Sequence, residues 1–211
     1  MLNLEGRIYF NWCCQKGVFL LVFLLQACNL FTPREPEPPI SAGSQALWQT
    51  PTQPEILFAN LSQAFASLNA VDYTRSFSPV PTTDNLTGIR FTFTPTPETA
   101  AQAAGLFSNW DIFSERRFFE NFRNQVAPRT SPSFTLTITE RLVVSQTEQR
   151  LAIIYRLQAT YTNPTLLPVC EGQSQLVIKQ SAQGFWYIES WQDFRRENPF
   201  TLSELKRLLI N

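Results

Sequence analysis

The sequence contains no histidine, so the side chain that most often serves as general base and as metal ligand is missing. Lysine is nearly as scarce, occurring at Lys16, Lys179 and Lys206 alone. The 17 basic and 17 acidic residues cancel, and no run of like charge marks a face for nucleic acid or acidic lipid. No phosphate loop of the GxxxxGK(S/T) kind, no GxGxxG, no GxSxG elbow and no CxxC pair is present. Scattered carboxylates without histidine make no clustered ligand set, so neither a metal nor a cofactor is expected. No internal repeat is evident. What is abundant is aromatic surface: 18 phenylalanines and 5 tryptophans imply a core built on large rings. A chain of 211 residues is long enough to bury such a core in one domain.

The four cysteines divide by position. Cys13 and Cys14 precede an apolar run at residues 17–25 (GVFLLVFLL), with Arg7 and Lys16 ahead of it. That run is about half of the roughly 20 residues a membrane-spanning helix needs. A basic start and a short apolar stretch describe a secretory signal segment. Leu25-Gln26-Ala27-Cys28 follows, and it resembles the lipobox of bacterial lipoproteins. Gln26 departs from the usual small or hydroxyl residue at its place. The resemblance implies cleavage of residues 1–27 and a lipid-bearing Cys28. An uncleaved anchor, or an ordinary signal peptide in which Cys28 is incidental, remain the other readings. Asn29 resembles the default for the outer membrane, so the expected location is the cell envelope, lipid-anchored in the outer membrane and facing the periplasm. Cys170 is then left alone in the mature chain, so the domain is held by packing rather than disulfides.

Residues 28–53 read as a proline-rich linker. The polyproline conformation advances about 3.1 Å per residue, so residues 33–54 could reach roughly 70 Å. Trp48 stands alone in this polar stretch and is expected either to dock on the domain or to meet a partner. The domain is expected over residues 54–211. Thr52 and Glu55 have capping-box spacing, and Leu57, Leu61, Ala64, Phe65 and Leu68 recur at helical spacing. Ile89, Phe91 and Phe93 alternate as in a strand, and Thr96-Pro97-Glu98 opens an alanine-rich helix closed by Gly105. Phe118, Phe119, Phe122 and Val126 mark a further helical face. Then the period changes to two. Phe134, Leu136 and Ile138 form one strand, and Leu151, Ile153, Tyr155, Leu157, Ala159 and Tyr161 a second. Residues 175–180 and 185–194 make two more around Gln183-Gly184. Thr201 and Glu204 cap a closing helix. Helices first and antiparallel strands afterwards define an α+β domain.

This order, with Tyr73, Trp110 and the ending GFWYIESWQDF followed by TLSELK, resembles the nuclear-transport-factor-2-like superfamily, in particular its exported lipoproteins. The resemblance implies helices packed in a curved, cone-like antiparallel sheet, often around a pocket. Tyr73, Trp110, Tyr155, Trp186, Trp191 and Asp193 are the candidate pocket or core residues. Catalytic relatives use carboxylates, tyrosines or histidine inside the cone, and here Asp111, Glu115, Tyr187, Glu189 and Arg195 join the candidates. None sits in a motif that matches a catalytic member. The expectation is a membrane-tethered, non-catalytic binding or scaffolding module for an envelope protein partner or a small apolar ligand, with no nucleic acid involved. The alternative is a small carboxylate- and tyrosine-dependent isomerase or hydrolase acting inside the cone.

Overall fold

A computed structural model describes residues 48–80, 85–103 and 105–210. The signal segment, Cys28 and most of the expected linker lie outside the described residues. The order is α1 (Pro54–Ser67), α2 (Ala70–Arg75), β1 (Thr92–Thr94), α3 (Pro97–Gln102), α4 (Ile112–Gln125), β2 (Ser133–Ser145), β3 (Glu148–Gln158), β4 (Val169–Gln180), β5 (Trp186–Phe194) and α5 (Leu202–Ile210). The architecture is α+β, as expected. β2 to β5 form an antiparallel meander, and β1 joins β5 in parallel to give the sheet order β1-β5-β4-β3-β2. The sheet is therefore mixed at one edge. Among the described residues no helix is long and apolar enough to cross a membrane.

The helices begin where local chemistry allows. Gln53, not Thr52, takes the N-cap of α1, with Pro54 just inside and no side-chain cap. Glu55 pairs with Arg141 of β2 instead of reaching back, so the expected capping box does not form. Asn69 caps α2 through Val71 and Asp72, and Leu68 adopts φ 54° to turn the chain between the two helices. Thr96 caps α3 and Asp111 caps α4. Thr201 Oγ1 accepts from Glu204 N at the start of α5.

One face of the sheet is dry. Leu151, Ile153, Tyr155 and Leu157 of β3, and Leu176 and Ile178 of β4, are buried, while alternate residues such as Arg156, Gln173 and Gln175 are exposed. Against that inner face pack Leu57, Leu61 and Phe65 of α1 and Phe118, Phe119 and Phe122 of α4. Phe65 meets Tyr73, Phe119 and Phe122 edge-on at 5.1–5.4 Å between ring centres, the geometry aromatic quadrupoles favour. Trp186 and Trp191 are buried core residues of β5. Residues 48–53, the end of the expected linker, already pack on this unit. Pro51 O accepts from Trp186 N at 2.8 Å, Asn60 bonds both the N and the O of Gln49, and Arg75 lies over the Trp48 ring at 5.8 Å. Trp48 thus docks on the domain.

β4 starts at Val169 rather than at residue 175. Its inward positions there are Cys170, Gly172 and Ser174, small residues that leave no apolar alternation to detect. Gly172 is needed for space: a Cβ would fall 2.5 Å from Tyr155 Oη and 2.9 Å from Phe194 O. Gly172→Ala is therefore expected to lower stability by about 1–3 kcal/mol through overpacking. The check is a shift in urea midpoint with unchanged far-UV dichroism; an unshifted midpoint would show that Tyr155 yields freely.

Candidate functional site

Two carboxylates lie inside the domain, and each collects candidates from distant parts of the sequence. The first is Glu115, in the first turn of α4. Tyr73 Oη of α2 donates to its Oε1, Trp110 Nε1 donates to Oε2 at 2.6 Å, and Lys206 Nζ of α5 sits 2.5 Å from both oxygens. The ammonium lies 3.8 Å from the centre of the Phe93 ring, with Trp110 and Phe118 at 5.2 and 5.0 Å. Tyr73, Trp110, Glu115 and Lys206 are each at most 4% exposed. Burial pushes the Lys206 ammonium below its usual pKa, and the Glu115 charge opposes that fall. Burial pushes the Tyr73 phenol well up, and the neighbouring Glu115 charge adds to the rise.

The second is Asp193 of β5. Its Oδ1 accepts from Tyr155 Oη at 2.7 Å and Ser174 Oγ at 3.3 Å. Its Oδ2 accepts from Ser203 N at 2.9 Å and Ser203 Oγ at 2.6 Å. Trp191 Nε1 donates to Ser174 Oγ, and Tyr155 Oη accepts from Leu202 N. Burial raises the Asp193 carboxyl above its ordinary value, while the bonds from Ser203 and Tyr155 hold that rise back. Four donors to one carboxylate leave it no capacity for a substrate proton without losing a structural bond.

Of the sequence candidates, Tyr73, Trp110 and Glu115 thus come together, and Tyr155, Trp191 and Asp193 meet through Ser174. The others stand apart. Trp186 packs where the chain enters the domain, and Asp111 serves as a helix cap. Glu189 pairs with Lys179 at 2.8 Å on the far side of the sheet, Tyr187 is part-exposed, and Arg195 lines a shallow surface depression. Cys28 lies outside the described residues. Cys170 is buried and free, with its thiol pushed well up by burial, which suits a small apolar residue and not a nucleophile. Lys206, Ser174 and Ser203 escaped the sequence reading. Lys206 had one legible sign: it follows Leu202 by four residues and precedes Leu209 by three, which places it on the apolar face of its helix.

Concavities open at the surface of the domain. A concavity of about 500 Å³ lies on the outer face of the sheet between Glu140 and Leu142 of β2, Arg150 and Ala152 of β3, Gln175 and Val177 of β4, and Ser190 and Gln192 of β5. A smaller one of about 180 Å³ lies beside Trp48, Arg75 and Phe185. Among the described residues no group of His, Cys, Asp and Glu could hold a metal ion.

No family model and no curated protein matches the chain. Solved structures to which it is similar include a ketosteroid isomerase-like protein from Erwinia carotovora, at 11% identity and a TM-score of 0.48 over 69% of this chain and 94% of that one. An NTF-2 like protein of unknown function from Shewanella oneidensis overlaps at 12% identity and 0.46, over 65% and 92% of the two chains. A scytalone dehydratase-like protein from Novosphingobium aromaticivorans overlaps at 13% and 0.49, over 66% and 78%. Likeness at this level assigns neither an activity nor a ligand.

The two interior clusters make stability predictions. Lys206→Met strands the Glu115 charge in a dry site and is expected to cost about 3–5 kcal/mol. Adding Glu115→Gln to it should recover a large part, since the uncompensated charge is then gone. Asp193→Asn turns an amide NH₂ towards existing donors and should cost about 1–3 kcal/mol. Chemical denaturation measures all three. A Lys206→Met protein as stable as the parent would mean that the pair is not buried in solution.

Proposed function

We propose that this protein is a lipid-tethered component of the bacterial cell envelope, whose domain is a non-catalytic binding or scaffolding module. The observation that supports the second half is the sealed interior. The groups that could do acid–base chemistry are bonded to one another and shut away from water, whereas a catalytic site needs polar groups converging on an open volume. Binding then falls to the surface, and the concavity on the outer face of the sheet is the place for it. Its lining mixes Glu140, Arg150, Gln175 and Gln192 with Leu142, Ala152 and Val177, a polar and apolar blend suited to a protein partner. A small apolar ligand would have to use the same surface. The tether is supported by the sequence Leu25-Gln26-Ala27-Cys28 behind a short apolar run, with the outer membrane as its destination.

Two measurements test the two halves separately. Cys28→Ser is expected to leave an unprocessed precursor that takes up no labelled fatty acid; normal labelling would remove the tether. A photocrosslinking residue at Gln175 or Val177 in cells is expected to give a discrete adduct that the same residue at Arg117, exposed on α4, does not. Identical adducts from both faces would overturn the assignment of the surface. The competing reading, an isomerase or hydrolase acting inside the cone, would require a turnover that Glu115→Gln abolishes while the fold is kept.

A further inference from the structure

Asn60 is a buried polar residue in the middle of α1, where an amide side chain is a poor helix former. Among the described residues both of its hydrogen bonds go to the main chain of Gln49. Its Nδ2 donates to Gln49 O at 2.5 Å, and Gln49 N donates to its Oδ1 at 3.1 Å. The side-chain amide thus stands in for a peptide unit of a neighbouring strand. Two residues on, Pro51 O accepts from Trp186 N at the start of β5. Residues 48–51 therefore lie as a strap over α1, α2 and β5. The strap is held by its backbone, by buried Pro51 and by the half-buried Trp48 ring against Arg75. The side chains of Gln49 and Thr50 are exposed.

The seat is complete without the strap. Asn60 is carried by α1, Asp72 of the same helix holds Arg75 at 3.0 Å, and Trp186 pairs with Gln180 of β4. Nor does the strap fill its seat, since about 180 Å³ stays open between Thr50 and Arg75, Ser78, Val80 and Phe185. Three hydrogen bonds and one cation–ring contact then oppose the entropy of ordering residues 48–53. At a part-exposed site these are contributions of similar size and opposite sign. Departure strands no buried group, because water reaches the Asn60 amide, the Gln49 main chain and Trp186 N once the strap is gone. A pull through the linker also meets the contacts in turn, Trp48 first, then Gln49, then Pro51. It peels the strap instead of shearing it.

We infer that residues 48–53 are a releasable latch, which undocks as a unit while the domain stays folded and so lengthens the tether. The occupant of the seat is this chain's own segment. The change of reach rests on the lipid tether proposed above. About twenty residues separate Cys28 from Trp48, at most ~60 Å in the polyproline form, and the released residues add up to ~20 Å. Release thereby brings the outer face of the sheet to partners farther from the bilayer.

The test is hydrogen exchange of the lipidated full-length protein on phosphatidylethanolamine–phosphatidylglycerol vesicles. The amides of Gln49 and Trp186 are compared with those of β3, a strand paired on both sides. The two latch amides are expected to share one protection factor, about a hundredfold or more below that of β3. Asn60→Ala is expected to lower protection at Trp186 by about tenfold or more and to leave β3 unchanged. Latch amides as well protected as β3 would make the strap a fixed part of the domain. An Asn60→Ala effect confined to Gln49 would show that the contacts do not release together. Protection at Trp186 that rises with protein density would seat the strap on a second copy. Each of these three results overturns the latch. Reach is read by energy transfer from a donor on Gln146→Cys, exposed in the β2–β3 turn, to acceptor lipids. Asn60→Ala is expected to weaken the transfer; unchanged transfer with fatty-acid labelling intact overturns the change of reach. Absent labelling removes the tether and the reach with it, and exchange at Gln49 and Trp186 still decides the latch.

Discussion

An ammonium group held away from water constrains its surroundings more tightly than any apolar contact can. Lys206 must meet a carboxylate and also have its remaining charge screened, because desolvating an ion costs several kcal/mol that only close partners return. Glu115 supplies the carboxylate, and Phe93, Trp110 and Phe118 supply ring faces that attract a cation through their quadrupoles. Tyr73 and Trp110 fill the remaining acceptor positions on Glu115. One interaction therefore fixes the relative positions of α2, α4, α5 and β1. Asp193 does the same for β3, β4, β5 and the start of α5 through Tyr155, Ser174 and Ser203. α5, the last helix, is thus held by two carboxylates from different layers.

This arrangement has a consequence for function. A cone of helices and sheet can enclose a pocket, but here its polar interior groups serve to anchor the closing helix. The phenylalanines of α1 and α4 pack under the inner sheet face. The proposed binding surface accordingly lies on the exposed face of the sheet, which offers mixed polar and apolar groups.

The edges of the sheet are treated unequally. Along β5 the outer backbone is covered in turn by Pro51, Ser76 and β1, which leaves the three-residue β1 as the edge on that side, a short template for strand addition. β2 forms the other edge. Two irregularities in its pairing with β3, between Ile138 and Glu140 and between Val143 and Ser145, together with the charges of Glu140 and Arg141, make it a poor template for another strand.

Sequence periodicity alone determined the class of the fold and most of its elements. The stripe of α1, the alternation of β3, the Gln183-Gly184 turn and the Thr201 cap of α5 are local signals, because each depends on spacing within one element. Trp186 and Trp191 are candidates for pocket or core by sequence; period two would separate them, and they share the buried face because the pairing of β5 with β4 shifts between Val177 and Ile178. The beginning of β4 was hidden, since Cys170, Gly172 and Ser174 are small and carry no apolar pattern. Only the tertiary structure decided what the polar candidates do. Glu115 and Lys206 are 91 residues apart, and Asp193 meets Tyr155 across 38. Whether a carboxylate waits for a substrate or is consumed by a neighbour depends on which donors the fold brings to it. Spacing along the chain cannot encode that, because these contacts are made between elements whose relative placement is set by packing.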